Sequence, residues 1–548
     1  VSSEHVEVER KFEADDTFSL PDLTGAGDVV AVGQPEEQSL EATYHDTPDL
    51  RLLRARVTLR RRTGGTDAGW HLKLPGKGGS RRELHQPAGR ATRTAPRAVV
   101  APALGLLGTA TTGPVATIST RRVVHRLLDG AGRVLAEVAD DSVVGTALAT
   151  DPGEPATVTS WREVEVELVD GDEALLEAVG ERLTAAGARP SGASSKLGRV
   201  LEGRLPGPVL PAPVPAAGQP DGKGRKDAKG RKGGKGRKGG KEGEKGGKGK
   251  RAVPTRTAGE VVLGAVAGQL QALRDADLAV RTERPEGVHD LRVACRRLRS
   301  ILAAYRTVLA RERTDPLRTE LQWVGAQLSG ARDTEVALSH LRELVAAQPV
   351  ELVLGPVAAR LQQTEIKDHV AGARQVTRTL TERRYLQMLD ALDALLADPP
   401  VTEAAAAPAP GVLADAVRRS GKRLRAEVEA AREAEGEARS LVLHEVRKAT
   451  KRVRYTAEVT VDTFGEPATA LITCAKQVQE LLGAAQDTVV TREVAARLGR
   501  AAFAAGENAW TFGRLHALEE ARAAASEDGF WALEPELRRA IRTVARLA

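Results

Sequence analysis

The chain has little sulfur: two cysteines, Cys295 and Cys474, and one methionine in 548 residues. Two distant cysteines in apolar helical patterns exclude a disulfide framework and a cysteine-based zinc site. Their scarcity fits a reducing compartment. Aromatic side chains are also few, with 5 Trp, 4 Tyr and 6 Phe. Proteins that bind single-stranded nucleic acid stack bases on such side chains, and this chain has few to offer. No run of about 18 apolar residues occurs, so no membrane span is expected. Val1 to Asp16 is charged and lacks the apolar stretch of a signal peptide. A cytoplasmic protein with no membrane partner is therefore expected.

The net charge of +7 belongs to one segment. Gln219 to Arg251 holds 14 Lys+Arg against 4 Asp+Glu, a net of +10, which leaves −3 for the rest. A basic site in the folded parts must then be a local cluster on a nearly neutral background. The segment is rich in Gly, Lys and Arg, with Gly-Arg-Lys recurring at 224, 230 and 236. Such a sequence cannot bury apolar surface, so 204–256 reads as a disordered linker, Pro-rich and then Lys/Gly-rich. By counterion release it would also bind nucleic acid non-specifically at low salt.

The linker separates two patterns. Before it, apolar and polar residues alternate, as in Val164-Glu165-Val166-Glu167-Leu168. Period two predicts strands, here split by turns such as Gly64-Gly65 and Asp129-Gly130. A helix is predicted over 173–187. After the linker, 257–548 has helical periodicity throughout and predicts an all-α domain. The Ala/Pro-rich stretch Thr402 to Pro410 divides it into halves, about 257–400 and 411–548.

Those halves repeat. His289, Arg292, Arg296 and Arg299 lie at offsets 0, 3, 7 and 10. His444, Arg447, Lys451 and Arg454 lie at the same offsets 155 residues later. Downstream of each, Leu-x4-Asp-Thr recurs at Leu328/Asp333 and Leu482/Asp487. On a helix each foursome falls within about 80°. Like charges so placed repel, unless an anion lies against them. Arginine forks suit phosphate oxygens, and histidine adds a donor that becomes cationic near its pKa. One such stripe is usually a solvated face; a second copy with the same offsets favours a polyanion site. Asp333 and Asp487 are either helix-start caps or partners that orient the arginines.

Val288-His289-Asp290-Leu291-Arg292-Val293-Ala294-Cys295-Arg296-Arg297-Leu298-Arg299 and His444-Glu445-Val446-Arg447-Lys448-Ala449-Thr450-Lys451-Arg452-Val453-Arg454-Tyr455 resemble the signature of the CHAD domain. The resemblance covers about 257–548. It implies two pseudosymmetric four-helix bundles that bind polyphosphate in a basic pore, with the eight stripe residues as contacts. Gln486 stands where the first copy has Arg332.

In the first part, Glu7-x-Glu9-x-Lys11 would place three side chains on one face of a strand. Adjacent carboxylates repel unless a divalent cation lies between them, and hard cations such as Mg²⁺ or Mn²⁺ prefer oxygen ligands. Glu163, Glu165 and Glu167 repeat the pattern, and Asp141 closes a further predicted strand from Val134. Arg60, Arg62, Lys73, Arg81, Arg122 and Lys196 are interleaved. An alternating acidic strand alone is usually a solvent face; acidic and basic sets together describe a metal–triphosphate site.

Glu7-x-Glu9-x-Lys11, Tyr44-His45-Asp46-Thr47, Leu59-Arg60-Arg61-Arg62, Leu72-Lys73, Arg81-x-Glu83, Glu163-x-Glu165-x-Glu167 and Ser195-Lys196 resemble the CYTH family, the triphosphate tunnel metalloenzymes, over about 1–203. The resemblance implies an antiparallel β tunnel that cleaves a triphosphate with Mg²⁺ or Mn²⁺; some members cyclise ATP instead. It assigns Glu7, Glu9, Asp141, Glu163 and Glu165 as metal ligands and Glu7, Glu9 and Lys11 as catalytic. Arg60, Arg62, Lys73, Arg81, Arg122 and Lys196, with Lys11, become phosphate binders. Asp140 and Arg121 are the neighbours that a one-residue slip would put in place of Asp141 and Arg122. The expected protein is α+β and multidomain, with a CYTH tunnel at 1–203 and a CHAD domain at 257–548. It would bind polyphosphate or tripolyphosphate, at polyphosphate granules in the cytoplasm. It is either a metal-dependent triphosphatase or a non-catalytic granule-binding protein.

Overall fold

A computed structural model describes residues 3–65, 67–76, 81–87, 94–149, 155–193, 195–204, 256–284, 286–328 and 330–547, with the side chains of 3–7, 330–336, 365–372 and 437 left aside. The Lys/Gly-rich segment 219–251 lies outside the described residues. The chain divides into two compact units: Val1–Val209 with Ala272–Leu291 and Gln375–Asp393, and the remainder, Leu210–Gln271, Arg292–Arg374 and Ala394–Ala548.

The first unit is built on one antiparallel sheet. Its strands are β1 (Ser3–Glu7), β2 (Glu9–Ala14), β3 (Ala31–Val32), β4 (Glu36–Asp46), β5 (Thr58–Thr63), β6 (Gly69–Pro75), β7 (Arg81–Pro87), β8 (Gly113–Leu128), β9 (Val134–Ala147), β10 (Thr157–Leu168) and β11 (Arg189–Pro190). They pair in the order β1-β7-β6-β5-β4-β8-β9-β10-β2-β11, with β3 on β8. β1, at one end of this order, and β2, next to last at the other, are neighbours along the chain. β1 pairs with β7, and β2, one residue further on, pairs with β10. The N-terminal stretch thus joins two distant parts of the sheet at Val8, and among the described residues the ladder is not closed into a barrel.

That change of partner corrects one expectation. Glu7, Glu9 and Lys11 do not share one unbroken strand, because the ladder changes partner at Val8. Glu7 sits opposite Arg81, whereas Glu9 sits opposite Glu167 and Lys11 opposite Glu165. The strand expected to end at Asp141 runs on to Ala147.

Strand alternation divides inside from outside. Phe12, Val164 and Val166 turn outward and are buried under the helix Glu173–Ala185 through Leu176, Val179 and Leu183. Each such side chain contributes about 1.5–3 kcal/mol on full burial. Asp172 starts this helix by accepting from the Leu175 amide at 3.0 Å, and Glu173 in the first turn suits the helix dipole. The opposite face of the strands carries the charged residues.

Two helical segments complete the unit. Buried Asp277 accepts from Tyr385 Oη at 2.9 Å and from Arg281 Nε at 2.7 Å. Asp390 accepts from Arg51 at 2.6 Å and from the Thr109 amide at 2.9 Å. Gly108 has φ +63°, and a Cβ there would stand 2.1 Å from Asp390 Oδ1, so only glycine fits.

The second unit is helical; among its described residues the β pairings are the isolated bridges Thr257↔Pro408 and Leu309↔Val401. Ala409–Glu433, Gly436–Glu458, Glu466–Ala504 and Trp510–Val544 form one four-helix bundle around Leu424, Val446, Val453, Leu471, Val478, Phe530 and Leu537. The corresponding long helix of the first repeat is broken in two, Arg311–Gln327 and Gly330–Ala346.

Candidate functional site

The charged face of the sheet encloses a cavity of about 340 Å³. Glu165 lines it and forms, with Asp141 and Glu163, a cluster of three buried carboxylates. One carboxylate oxygen from each lies within 4.8 Å of the others. Backbone register sets this cluster: on β9, β10 and β2, Glu163 is opposite Asp141 and Glu165 is opposite Lys11. Asp141 faces in, whereas Asp140 faces out to Arg162 at 2.7 Å.

Cations hold these carboxylates together. Lys196 Nζ lies 2.9 Å from Asp141, 2.6 Å from Glu163 and 2.8 Å from Glu165. Lys196 opens a short helix whose N-cap is Ser195. Arg122 forks onto Asp141 at 2.8 and 2.7 Å and reaches Glu165 at 2.6 Å. Lys11 bonds Glu165 and lies 3.1 Å from Glu9. Burial alone would raise the Glu165 carboxyl, but Lys11, Lys196 and Arg122 hold it well below the usual range. Burial would likewise lower Lys196, yet Glu165, Asp141 and Glu163 raise it above the ordinary lysine value.

A second set of charged side chains lines the same cavity. Arg60, Arg62, Lys73 and Arg81 come from β5, β6 and β7. Burial, then repulsion from Arg60, lowers the Arg62 guanidinium even though Asp67 pairs with it at 2.6 Å. Glu83 serves several groups, with His71 at 2.7 Å, Arg60 at 3.4 Å and Lys73 at 3.5 Å. Burial would raise the Tyr44 phenol, but Arg60 beside it holds it below its usual value.

Of the expected metal ligands, the fold brings Asp141, Glu163 and Glu165 into one cluster. Glu9 lines the cavity but pairs with Lys11 instead. The Glu7 side chain lies outside the described residues. Three converging buried carboxylates are hard oxygen donors and fit Mg²⁺ or Mn²⁺. All the expected phosphate binders, Lys11, Arg60, Arg62, Lys73, Arg81, Arg122 and Lys196, line the cavity. Tyr44, Asp67, Glu83 and Glu167 line it too. Tyr44 and Glu83 stand inside the quoted motifs, and Glu167 continues the acidic alternation. Asp67 lies in a loop with no pattern to mark it.

The second unit holds a separate basic pocket of about 350 Å³. Arg296, Arg299 and Lys451 line it, from the helices Gly287–Ala304 and Gly436–Glu458. The latter helix buries Leu443, Val446, Ala449 and Val453, so its cations are left on the other side. Arg318, Lys448 and Arg452 join them, and no carboxylate is in the lining. Sequence spacing did not point to these three: Arg318 comes from another helix, and Lys448 and Arg452 fall between the stripe positions on their own. Burial, then Arg447, Arg296 and Arg454, pushes the Lys451 ammonium down to about 7. Burial and then Arg318 and Arg296 lower Arg299.

The remaining stripe residues are less uniform. Arg454 lies 3.3 Å from Glu458 and 4.7 Å over the Tyr455 ring. A Cβ at Gly483 would stand 2.9 Å from an Arg447 nitrogen, so glycine there admits that guanidinium. His444 lines a different cavity, with Gln486, Arg492 and Glu520, and bonds Gln486. His289 is exposed, and Arg292 is half-buried on the same helix. Asp487 is mid-helix in Glu466–Ala504, so it is not a start cap, and its charge acts on Lys451. The Arg332 and Asp333 side chains lie outside the described residues.

Comparison with known proteins matches residues 5–196 to the CYTH domain and residues 264–496 to the CHAD domain. A protein of Mycobacterium tuberculosis strain H37Rv, itself named as uncharacterized, is 35% identical over 528 residues, covering 94% of this chain and 93% of its own. The crystal structure of the CHAD domain from the plant Ricinus communis is 22% identical, with TM-score 0.41, over 51% of this chain and 91% of that one. A Hippeastrum protein, described as a candidate adenylyl cyclase with a dominant triphosphatase activity, is 16% identical, with TM-score 0.23, over 36% of this chain and 96% of that one. Among the described residues, no helix is long and apolar enough to cross a membrane.

Proposed function

The chain belongs to the family of proteins that join a CYTH domain to a CHAD domain, and from that premise we propose that it binds inorganic polyphosphate and hydrolyses tripolyphosphate or polyphosphate ends in its tunnel. The supporting observation is one cavity with Glu165, which clusters with buried Asp141 and Glu163, on one side and Arg60, Arg62, Lys73 and Arg81 on the other. A triphosphate with a divalent cation compensates both sides.

Asp141, Glu163 and Glu165 would hold Mg²⁺ or Mn²⁺, which supplies charge neutralisation at the phosphate oxygens and a lower pKa for the attacking water. The chain's own groups do the rest. Arg60, Arg62, Lys73 and Arg81 fix the phosphate oxygens, so the terminal phosphorus is presented in line. Lys196 and Arg122 would turn to substrate oxygens when a cation took over part of their carboxylate pairing. Water adds to the terminal phosphorus, and the bridging P–O bond breaks. One orthophosphate leaves, and the shortened chain keeps the bridging oxygen, its charge stabilised by the guanidinium groups. The Arg296, Arg299 and Lys451 pocket in turn holds polymer.

Phosphate release from tripolyphosphate with Mn²⁺ tests the reading. Release that Glu163→Gln abolishes supports it; release equal to that of the variant sinks catalysis. The second reading, a non-catalytic polyphosphate-binding protein, rests on the basic pocket alone. It predicts polymer retention that Arg296→Ala with Lys451→Ala removes, with no phosphate release from the full chain.

A further inference from the structure

Away from both sites, the second bundle has an apolar groove between the helices Ala409–Glu433 and Trp510–Val544, with a volume of about 490 Å³. Leu424 and Val428 from one helix, and Leu537 and Ile541 from the other, form its floor. Each pair is spaced i, i+4. Two such rows make the furrow in which a third helix packs.

The rim is cationic along its length. Arg418, Lys422 and Arg425 edge one side, and Arg538 and Arg542 the other. The lining has one carboxylate, Glu534, which is buried and already held by Arg538 at 2.6 Å and Arg432 at 3.2 Å. Arg418 pairs with Asp415 and donates to the Ala545 carbonyl at 2.7 Å, and Arg425 lies 3.9 Å from Glu429. Lys422 and Arg542 form no ion pair among the described residues. The floor is shaded: Leu424 is 4% exposed, Leu537 2% and Ile541 8%. Long basic side chains shield apolar surface with their stems while their heads stay in water.

We propose that this groove docks an amphipathic helix with acidic flanks, carried by another protein. Its apolar stripe would replace the stems over Leu424, Val428, Leu537 and Ile541, and its carboxylates would pair with Lys422 on one edge and Arg542 on the other. Helix-in-groove recognition supplies the chemistry. The distribution of charge selects the occupant. Arg418, Lys422 and Arg425 extend over two helical turns, about 10 Å at 1.5 Å per residue. An acyl chain with one anionic head satisfies one end of such a rim; a helix with Asp or Glu on both flanks pairs with both edges.

The test uses the full chain and labelled synthetic helical peptides followed by fluorescence anisotropy. One peptide carries Leu at i, i+3, i+4 and i+7 with Glu on both flanks. The second has Lys in place of Glu, and the third has the first composition scrambled. The first peptide should bind about tenfold tighter than either control and weaken with salt. Lys422→Glu with Arg542→Glu should cost about tenfold, and Lys422→Arg with Arg542→Lys should retain binding. Both residues are exposed, so unchanged thermal melting certifies the fold. No saturable binding of the acidic peptide, or equal binding of all three, overturns the proposal. So does saturable uptake of dodecanoate in place of the peptide, which would make the groove an acyl-chain site. Concentration-dependent self-association that the charge reversal removes overturns it in favour of a second copy.

Discussion

Lys451 should make polyphosphate binding proton-linked. Its ammonium is crowded by Arg447, Arg296 and Arg454 in a partly buried pocket, and it titrates at about 7 instead of 10.5. In the folded chain without ligand, Lys451 is therefore half charged near neutrality and nearly all neutral at pH 9. A polyanion in the pocket restores the charged form. Binding then takes up about half a proton at pH 7 and nearly a whole one at pH 9, and affinity falls by about fiftyfold across that interval. Calorimetry with polyphosphate of fixed length, in buffers of different ionisation enthalpy, measures both quantities. The terminal phosphates of the polymer also titrate, so the control is Lys451→Arg, which stays charged throughout and retains only the ligand's own dependence. Equal pH dependence in the two proteins would refute the reasoning. The same shift acts on folding with a definite sign. Below pH 7 folded and unfolded chains both carry the proton, and the folded chain bears the full repulsion. Between about 7 and 10.5 only the unfolded chain keeps it, so stability rises with pH through that window. Thermal melting of the ligand-free protein should show this rise, and Lys451→Met should flatten it.

In the tunnel, Glu163→Gln or Glu165→Gln should reduce Mn²⁺-dependent phosphate release by about a hundredfold or more, measured colorimetrically with tripolyphosphate. Arg60→Ala should raise KM as well as lower kcat, because Arg60 is placed to hold substrate rather than metal; an effect on kcat alone counts against that placement. Asp390→Ala removes the acceptor shared by Arg51 and Thr109 and should cost about 1–2 kcal/mol of stability, read by urea unfolding. Deleting 219–251 should leave polyphosphate affinity within about twofold at physiological salt, where exposed charges are screened. A large loss would move the polymer site to the linker.

Period-two alternation located the charged strands. Glu163-x-Glu165 and Arg60-x-Arg62 fall on single faces because a strand leaves no other choice. Spacing did less well for Glu7, since no local signal marks Val8 as the point where the ladder changes partner. Asp141 and Asp140 were interchangeable in sequence; pairing of β9 with both β8 and β10 chose between them. In the helical part the repeat marked both stripes, but a shared offset does not fix a shared cavity. His444 points to a different pocket from Lys451, although the two lie on one helix.

The sequence by itself determined which residues carry charge, the local period that lays them on a face, and the duplication of the helical half. These are properties of single elements and follow from backbone geometry. Tertiary structure decided which faces meet. It gathered Asp141, Glu163, Glu165, Arg122 and Lys196 from three strands and a short helix, and it brought Arg318 to the basic pocket from outside the repeat motif. It also left Lys451 among cations that outweigh the pull of Asp487. Such groupings depend on register and helix packing between segments far apart in the chain, where the balance of burial, pairing and repulsion is set by the whole fold.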